Sequence, residues 1–226
     1  PFNYDGKDYI LIDTAGIRRK RGIELDSVEE YSVIRSLEAI KRADICILVI
    51  DSSEPLSEQD VRIAGFIHEE KKPSLIVMNK WDLIEKGDKT MNEFNKQLEK
   101  DLSFMDYFES LYISAKTGQR VTNIMPKILE ILSHNNYRIS TSLLNEIVGD
   151  AVRMTQPPVI NGKKLKIYYA SQTGVCPPTF TFKVNDKKHL HFSYARYLEN
   201  VIRRNINLKG TPIELIFKNK VEEDLW

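Results

Sequence analysis

A parallel α/β domain followed by a smaller α+β unit is the architecture this sequence implies, and three features carry that reading. Over residues 8–132 short apolar runs alternate with segments whose apolar residues recur at helical spacing, as in a parallel sheet with helices on both faces. The run D-I-C-I-L-V-I at 44–50 is unbroken rather than alternating, which suits a strand covered on both sides. From about residue 139 the order becomes helix, strand, strand, helix, strand, and the charge balance turns over with it. Residues 1–136 carry 19 Lys and Arg against 24 Asp and Glu, whereas residues 137–226 carry 14 against 8. The chain therefore divides into 1–136, 137–220 and a short tail, 221–226. The basic second unit is expected to face an anionic partner. At 226 residues and 42% hydrophobic content there is enough chain for both units to have cores.

Taken in order, residues 8–12 (D-Y-I-L-I) read as a strand, and residues 25–42 as a helix with Val33, Ile34, Leu37 and Ile40 on one face. The run at 44–50 is the second strand. Ser57 is placed to cap a helix carrying Val61, Ile63, Phe66 and Ile67. Residues 74–78 form the third strand, 91–101 a helix and 110–113 the fourth strand. Residues 122–132 form a helix with Pro126 in its first turn. In the second unit the expected elements are a helix at 140–155, strands at 163–171 and 179–184, a helix at 192–206 and a strand at 213–217. A turn at Gly174, Pro177 and Pro178 joins the two central strands. The junction at 135–138 has no Gly/Ser linker, so the units are expected to pack closely.

Several function classes drop out. No apolar run is long enough to cross a bilayer and the N-terminus lacks a signal pattern, so a cytoplasmic protein without a membrane partner is expected. Two cysteines make no disulfide framework; Cys46 sits in an apolar run and Cys176 in a loop, both structural in expectation. His189 and His191 alternate as strand neighbours do, without further ligands at metal spacing.

What remains is a set of polar clusters at strand ends. Three of the four strands of the first unit close in D-T-A-G (13–16), N-K-W-D (79–82) and S-A-K (114–116), and in a parallel α/β sheet such ends lie on the ligand-binding edge. A carboxylate at Asp82 can accept both donors of guanine, the N1–H and the exocyclic amine. Adenine lacks that pair, so the same site would reject it. Asn79 can meet the base edge and tie neighbouring loops, and the Lys80 stem can lie over the ring. Ser114 and Lys116 flank Ala115, whose backbone N–H can donate to the guanine O6 while Lys116 covers the opposite face. Asp13 can hold Mg²⁺ through a water, and Gly16 lets its backbone N–H approach a γ-phosphate.

D-T-A-G-I-R-R-K at 13–20, the segment 31–44, V-I-D at 49–51, E-Q-D-V-R-I-A-G at 58–65 and N-K-W-D-L at 79–83, followed by the basic unit, make the chain resemble the P-loop GTPases, and within them the Der (EngA) ribosome-assembly family. The resemblance spans nearly the whole chain. It implies most of a second GTPase domain followed by a KH-like domain, with GTP or GDP and Mg²⁺ as ligands. Its implied partners are the large ribosomal subunit, ribosomal RNA and a first GTPase domain of the same parent chain.

Two departures qualify what the resemblance implies. No G-x-x-x-x-G-K-[ST] occurs in the chain, although in the family's order that loop and a switch threonine precede Asp13. The chain is thus expected to begin partway through a domain, to bind GTP or GDP weakly alone and not to hydrolyse it, since that loop supplies most β-phosphate contacts. Directly after Gly16, where Ras-like enzymes carry a water-orienting glutamine, stands Ile17; the resemblance then implies slow hydrolysis assisted by K⁺ and partner contacts. Arg18, Arg19, Lys20 and Arg21 read either as a solvated switch-region loop or as a phosphate or inter-domain contact.

In the second unit Lys163, Lys164, Lys166, Lys183 and further basic residues are interleaved with Tyr168, Tyr169 and Phe182. The surface suits an RNA backbone, and the aromatics read first as strand core residues. No G-x-x-G loop occurs between 137 and 220, which removes the usual single-strand clamp of KH domains. A guanine-nucleotide switch in ribosome assembly is the leading reading; a non-catalytic RNA- or protein-binding module on a GTPase remnant is the alternative.

Overall fold

The computed structural model describes residues 1–14, 37–85, 87 and 89–220. The expected helix at 25–42 is therefore described only over 37–42, where it is helical, and Gly16, Ile17, Arg18, Arg19, Lys20, Arg21 and the tail lie outside the described residues. Two units are present, one of Pro1–Leu132 with Lys209–Thr211, the other of Ser133–Leu208 with Pro212–Trp226.

The chain opens on an antiparallel hairpin of β1 (Phe2–Tyr4) and β2 (Lys7–Tyr9). Asp5 and Gly6 turn it with φ of 51° and 74°, the two positive values that a two-residue type I′ turn needs. This corrects the expectation that residues 8–12 join the parallel sheet. β2 ends at Tyr9, and Ile10 and Leu11 are exposed. Pairing across a two-residue turn closes a short loop at small entropic cost, and the stacked rings of Phe2 and Tyr9, 5.6 Å apart, add to it.

Among the described residues the parallel sheet has three strands in the order β3 (Cys46–Asp51), β4 (Ser74–Asn79), β5 (Glu109–Tyr112). Strand β4 is central, and its first five residues are all buried. Side-chain alternation distributes it between two cores. Ile76 and Met78 join Ile50, Leu98, Leu102 and Met105 on one face, while Leu75 and Val77 pack with Ile113, Ile128 and Ile131 on the other. The covering helices are α1 (Glu58–Glu69), α2 (Thr90–Asp101) and α3 (Ile124–Asn135). Helix α1 starts where expected: Ser57 Oγ accepts from Asp60 N–H and the Asp60 carboxylate accepts from Ser57 N–H, a reciprocal cap.

A tripeptide far along the chain also belongs to this unit. Ser74 N–H donates to the Gly210 carbonyl at 2.8 Å, and Gly210 N–H donates to the Tyr107 carbonyl at 2.6 Å. Gly210 has φ of 74°, and a Cβ there would lie 2.5 Å from Cγ1 of Ile131.

The second unit follows the expected order: α4 (Thr141–Met154), β8 (Ile167–Gly174), β9 (Thr179–Val184), α5 (Phe192–Asn205) and β10 (Glu214–Asn219). A small hairpin of β6 (Val159–Ile160) and β7 (Lys163–Lys164) precedes β8, so the strand expected from residue 163 is split in two. The sheet order is β10–β9–β8, parallel between β9 and β10 and antiparallel between β8 and β9. Phe180, Phe182 and Val184 face Leu144, Ile147, Leu198 and Ile202 in the core. Asn145 fastens α4 to the sheet edge, its amide accepting from Ala170 N–H at 2.9 Å and donating to the Ala170 carbonyl at 2.7 Å. His189 and His191 are not strand neighbours: His189 closes a 3₁₀ turn and His191 caps α5, its Nδ1 accepting from Ser193 N–H.

Gly210→Ala combines a steric clash with a left-handed backbone, so it should lower unfolding free energy by about 2–4 kcal/mol in urea denaturation. Gly149→Ala, in the middle of α4 where a Cβ would meet nothing nearer than Arg153 Nη1 at 3.9 Å, should be neutral or stabilising.

Candidate functional site

The carboxyl ends of β3, β4 and β5 come together through the register of the sheet. Asp51 lies opposite Asn79 across β3 and β4, and Met78 lies opposite Tyr112 across β4 and β5. The polar residues that follow these positions are therefore neighbours before any side-chain contact is considered.

Two devices shape the loop after β4. Lys80 adopts a left-handed conformation, φ 61° and ψ 30°, which ends the strand and starts the 3₁₀ turn Trp81–Leu83. Such a conformation costs a non-glycine residue about 1–2 kcal/mol and persists only where the surroundings hold it. Trp81 does the holding. It is 2% exposed, its ring centroid lies 4.4 Å from that of Tyr112 and 5.1 Å from that of Phe94, and its N–H donates to the Ile113 carbonyl at 3.0 Å. With Trp81 pinned in the core, Lys80 and Asp82 on either side of it are turned to the sheet edge.

The loop after β5, already held by the bond from the Trp81 backbone N–H to the Ile113 carbonyl, is joined to this one by a side chain as well. Ala115 N–H donates to Asn79 Oδ1 at 3.0 Å. Asn79 thus ties the loops as expected, but the N–H expected to meet a guanine O6 is engaged here by Asn79. Ser114 is buried and does not reach the open edge. Its Oγ accepts from Thr117 N–H and its own N–H donates to the Gln119 carbonyl, so it shapes the turn that carries Ala115 and Lys116.

Between the loops lies a cavity of about 240 Å³ lined by Asn79, Lys80, Asp82, Leu83 and Lys116. Of the residues singled out from sequence, Asn79, Lys80, Asp82, Ala115 and Lys116 are brought together, with Ser114 beneath them. Asp13 is exposed, follows the separate hairpin and is not among the residues lining the cavity. Among the described residues no three His, Cys, Asp or Glu side chains gather as they would around a metal ion held by protein ligands alone.

Two contributors escaped the sequence reading. Leu83 forms an apolar wall of the cavity; in sequence it is one more apolar residue after a motif. Asp51 forms an ion pair with Lys80 and accepts from Ser53 N–H and Oγ at 3.0 and 2.7 Å. Burial by itself would raise its pKa, but the hydrogen bond from Lys80 and those from Ser53 outweigh it and hold the carboxyl at about 2. Cys46 moves the other way: burial pushes its thiol up to about 11 against the opposing charge of Lys72, so it is an inert core residue. No described helix is long and apolar enough to cross a membrane.

Comparison with known proteins fits this geometry. A family model described as the KH-domain-like C-terminal part of EngA bacterial GTPase enzymes matches residues 138–218, and one described as a 50S ribosome-binding GTPase matches residues 1–80. The chain is 49% identical over 225 residues to GTPase Der of Alkaliphilus metalliredigens, covering 99% of this chain and 51% of that protein. It is 51% identical over 211 residues to GTPase Der of Clostridium acetobutylicum, covering 93% and 48%. The chain thus spans about half the length of the curated relatives it matches. Among solved structures it is similar to Era in complex with MgGDPNP and nucleotides 1506–1542 of 16S ribosomal RNA, at 22% identity and a TM-score of 0.44, covering 94% of this chain and 76% of that one. That likeness is too loose to support an inference.

The Asp51–Lys80 pair makes a prediction with a sign. A carboxylate held below its unfolded value contributes stability above about pH 4 and loses it as pH falls towards 2. Asp51→Asn should therefore cost about 1–2 kcal/mol at pH 7 after allowing for solvent screening at the half-exposed Lys80. The gap from wild type in denaturation curves should close between about pH 4 and pH 2.

Proposed function

The chain belongs to the Der (EngA) family of GTPases, and from that premise we propose that its first unit binds the guanine base of GTP or GDP while its KH-like unit contacts ribosomal RNA. On this reading the protein is a nucleotide switch in assembly of the large ribosomal subunit.

The observation that carries the reading is the cavity in which Asp82 stands beside Lys80 and Lys116, with the Ala115–Asn79 bond closing the join between the two loops. A carboxylate there accepts the N1–H and the 2-amino group of guanine together. Leu83 and the aliphatic stems of the two lysines offer apolar contact to the ring faces. Adenine would present a C2–H and an unprotonated N1 to the same carboxylate and leave it unsatisfied, which is the larger source of discrimination. With Ala115 N–H engaged by Asn79, the guanine O6 shares that donor or exchanges it.

The phosphate end is proposed from the D-T-A-G-I motif at 13–17. Asp13 would reach Mg²⁺ through water, and Gly16 and Ile17 would flank the γ-phosphate. An apolar Ile17 supports slow intrinsic hydrolysis with K⁺ dependence.

Asp82→Asn tests the base assignment. An amide offers one donor and one acceptor, complementary to the C2 carbonyl and N1–H of xanthine. The variant should lose GDP affinity by about 10–100-fold, the worth of one or two charge-assisted hydrogen bonds, and gain for XDP in titration calorimetry. Unchanged GDP binding would defeat the assignment.

A further inference from the structure

The second unit carries a feature that the base site does not use. Strand β8 contains a register shift: Ile167 lies opposite Val184 and Tyr169 opposite Lys183, so Tyr168 is an extra residue on its strand. In a regular strand one of two adjacent side chains would enter the core. The bulge leaves both out, and Tyr168 and Tyr169 are each 46% exposed. This corrects the reading of these tyrosines as core residues; of the three aromatics considered, only Phe182 is buried.

The surroundings of the pair are cationic. Tyr169, Lys183 and Lys218 form one cross-strand row over β8, β9 and β10, on the face opposite Ala170 and Phe182. Lys166 Nζ lies 5.1 Å and Lys220 Nζ 5.2 Å from the centroid of the Tyr168 ring. Both lysines are held by main-chain bonds at the end of β9. Lys166 N–H donates to Asn185 Oδ1 at 2.8 Å, and Lys220 N–H donates to the Val184 carbonyl at 2.7 Å. The carboxylate of Asp186, next in sequence, accepts from Lys188 N–H at 3.0 Å.

We infer that Tyr168 and Tyr169, framed by Lys166, Lys183, Lys218 and Lys220, form a platform on which unpaired bases of RNA stack while the lysines follow the phosphates. The inference deepens the RNA-contact part of the proposed function and rests on it. Stacking needs a ring face beside a cationic track, and this surface joins the two without any G-x-x-G loop; the ammonium groups of Lys166 and Lys220 lie over the Tyr168 ring, so a base stacks there by displacing them onto its phosphates. It also implies a preference for single-stranded or irregular RNA, because paired bases cannot reach the rings.

Fluorescence anisotropy of the whole chain with a labelled, unstructured 12-nucleotide RNA tests it. The paired substitution Tyr168→Ala with Tyr169→Ala should weaken binding by about 10–100-fold, leaving the dependence of affinity on salt unchanged. Tyr168→Phe with Tyr169→Phe should bind within about threefold of wild type, since the rings remain. Lys183→Gln with Lys218→Gln should lower the salt slope by about 1–1.4 without removing stacking. Wild-type affinity in the double alanine variant, with a wild-type circular dichroism spectrum, would overturn the platform and leave RNA contact elsewhere on the unit intact. Equal affinity for a duplex of the same sequence would also overturn it. Absence of RNA binding by the wild-type chain would remove the RNA-contact reading as well, while the GDP and XDP titration judges the base site separately.

Discussion

Two hydrogen bonds, Ala115 N–H to Asn79 Oδ1 and Trp81 backbone N–H to the Ile113 carbonyl, make two loops into one site. The strands bring the loops near each other, but adjacency in a sheet leaves the residues beyond the strand ends free to splay. The backbone of Trp81 restricts that freedom through Ile113, and Asn79 restricts it further by committing its side chain to the neighbouring loop. Its position depends in turn on the parallel register of β4 between β3 and β5. That register depends on the two apolar faces of β4, each matched to a different core. Packing, register and site geometry are thus links of one chain, and a change in the core can be felt at the cavity.

The same coupling explains why a tryptophan sits between a lysine and an aspartate. Burial of Trp81 contributes far more than the left-handed turn at Lys80 costs, since removing a buried Trp side chain typically costs about 3–5 kcal/mol. The core therefore holds the loop in a shape it would not adopt alone. The ion pair between Lys80 and Asp51 adds a second fastening on the opposite side. Both arrangements set the aspartate in place before a ligand arrives, which spares binding the entropy of ordering it.

Much of this was legible in the chain itself. The unbroken run at 44–50 and the buried strand at 74–78 identified a sheet covered on both faces, and Ser57 marked the start of α1. The clustering of Asn79, Asp82 and Lys116 followed from the rule that parallel strands end at a common edge. What escaped was set by local geometry that periodicity does not report. The Asp5–Gly6 turn diverted residues 7–9 into a hairpin, and the signal was present in the D-G pair flanked by aromatics. Asp51 was legible only as the close of the V-I-D motif, because its partner, Lys80, lies far along the chain and reaches it only through a left-handed turn. Strand alternation places one of Tyr168 and Tyr169 in the core, but the one residue inserted in β8 turns both rings outward.

The assignment of the cavity to guanine is tested most directly by the wild-type chain with three diphosphates that differ only at the base. Titration calorimetry with GDP, IDP and ADP removes first the 2-amino donor and then the N1 donor. If Asp82 reads both, GDP should bind about 10–100-fold tighter than IDP, and ADP should be weakest of all, whatever the absolute affinity. Equal affinity for the three would show that the carboxylate does not meet the base.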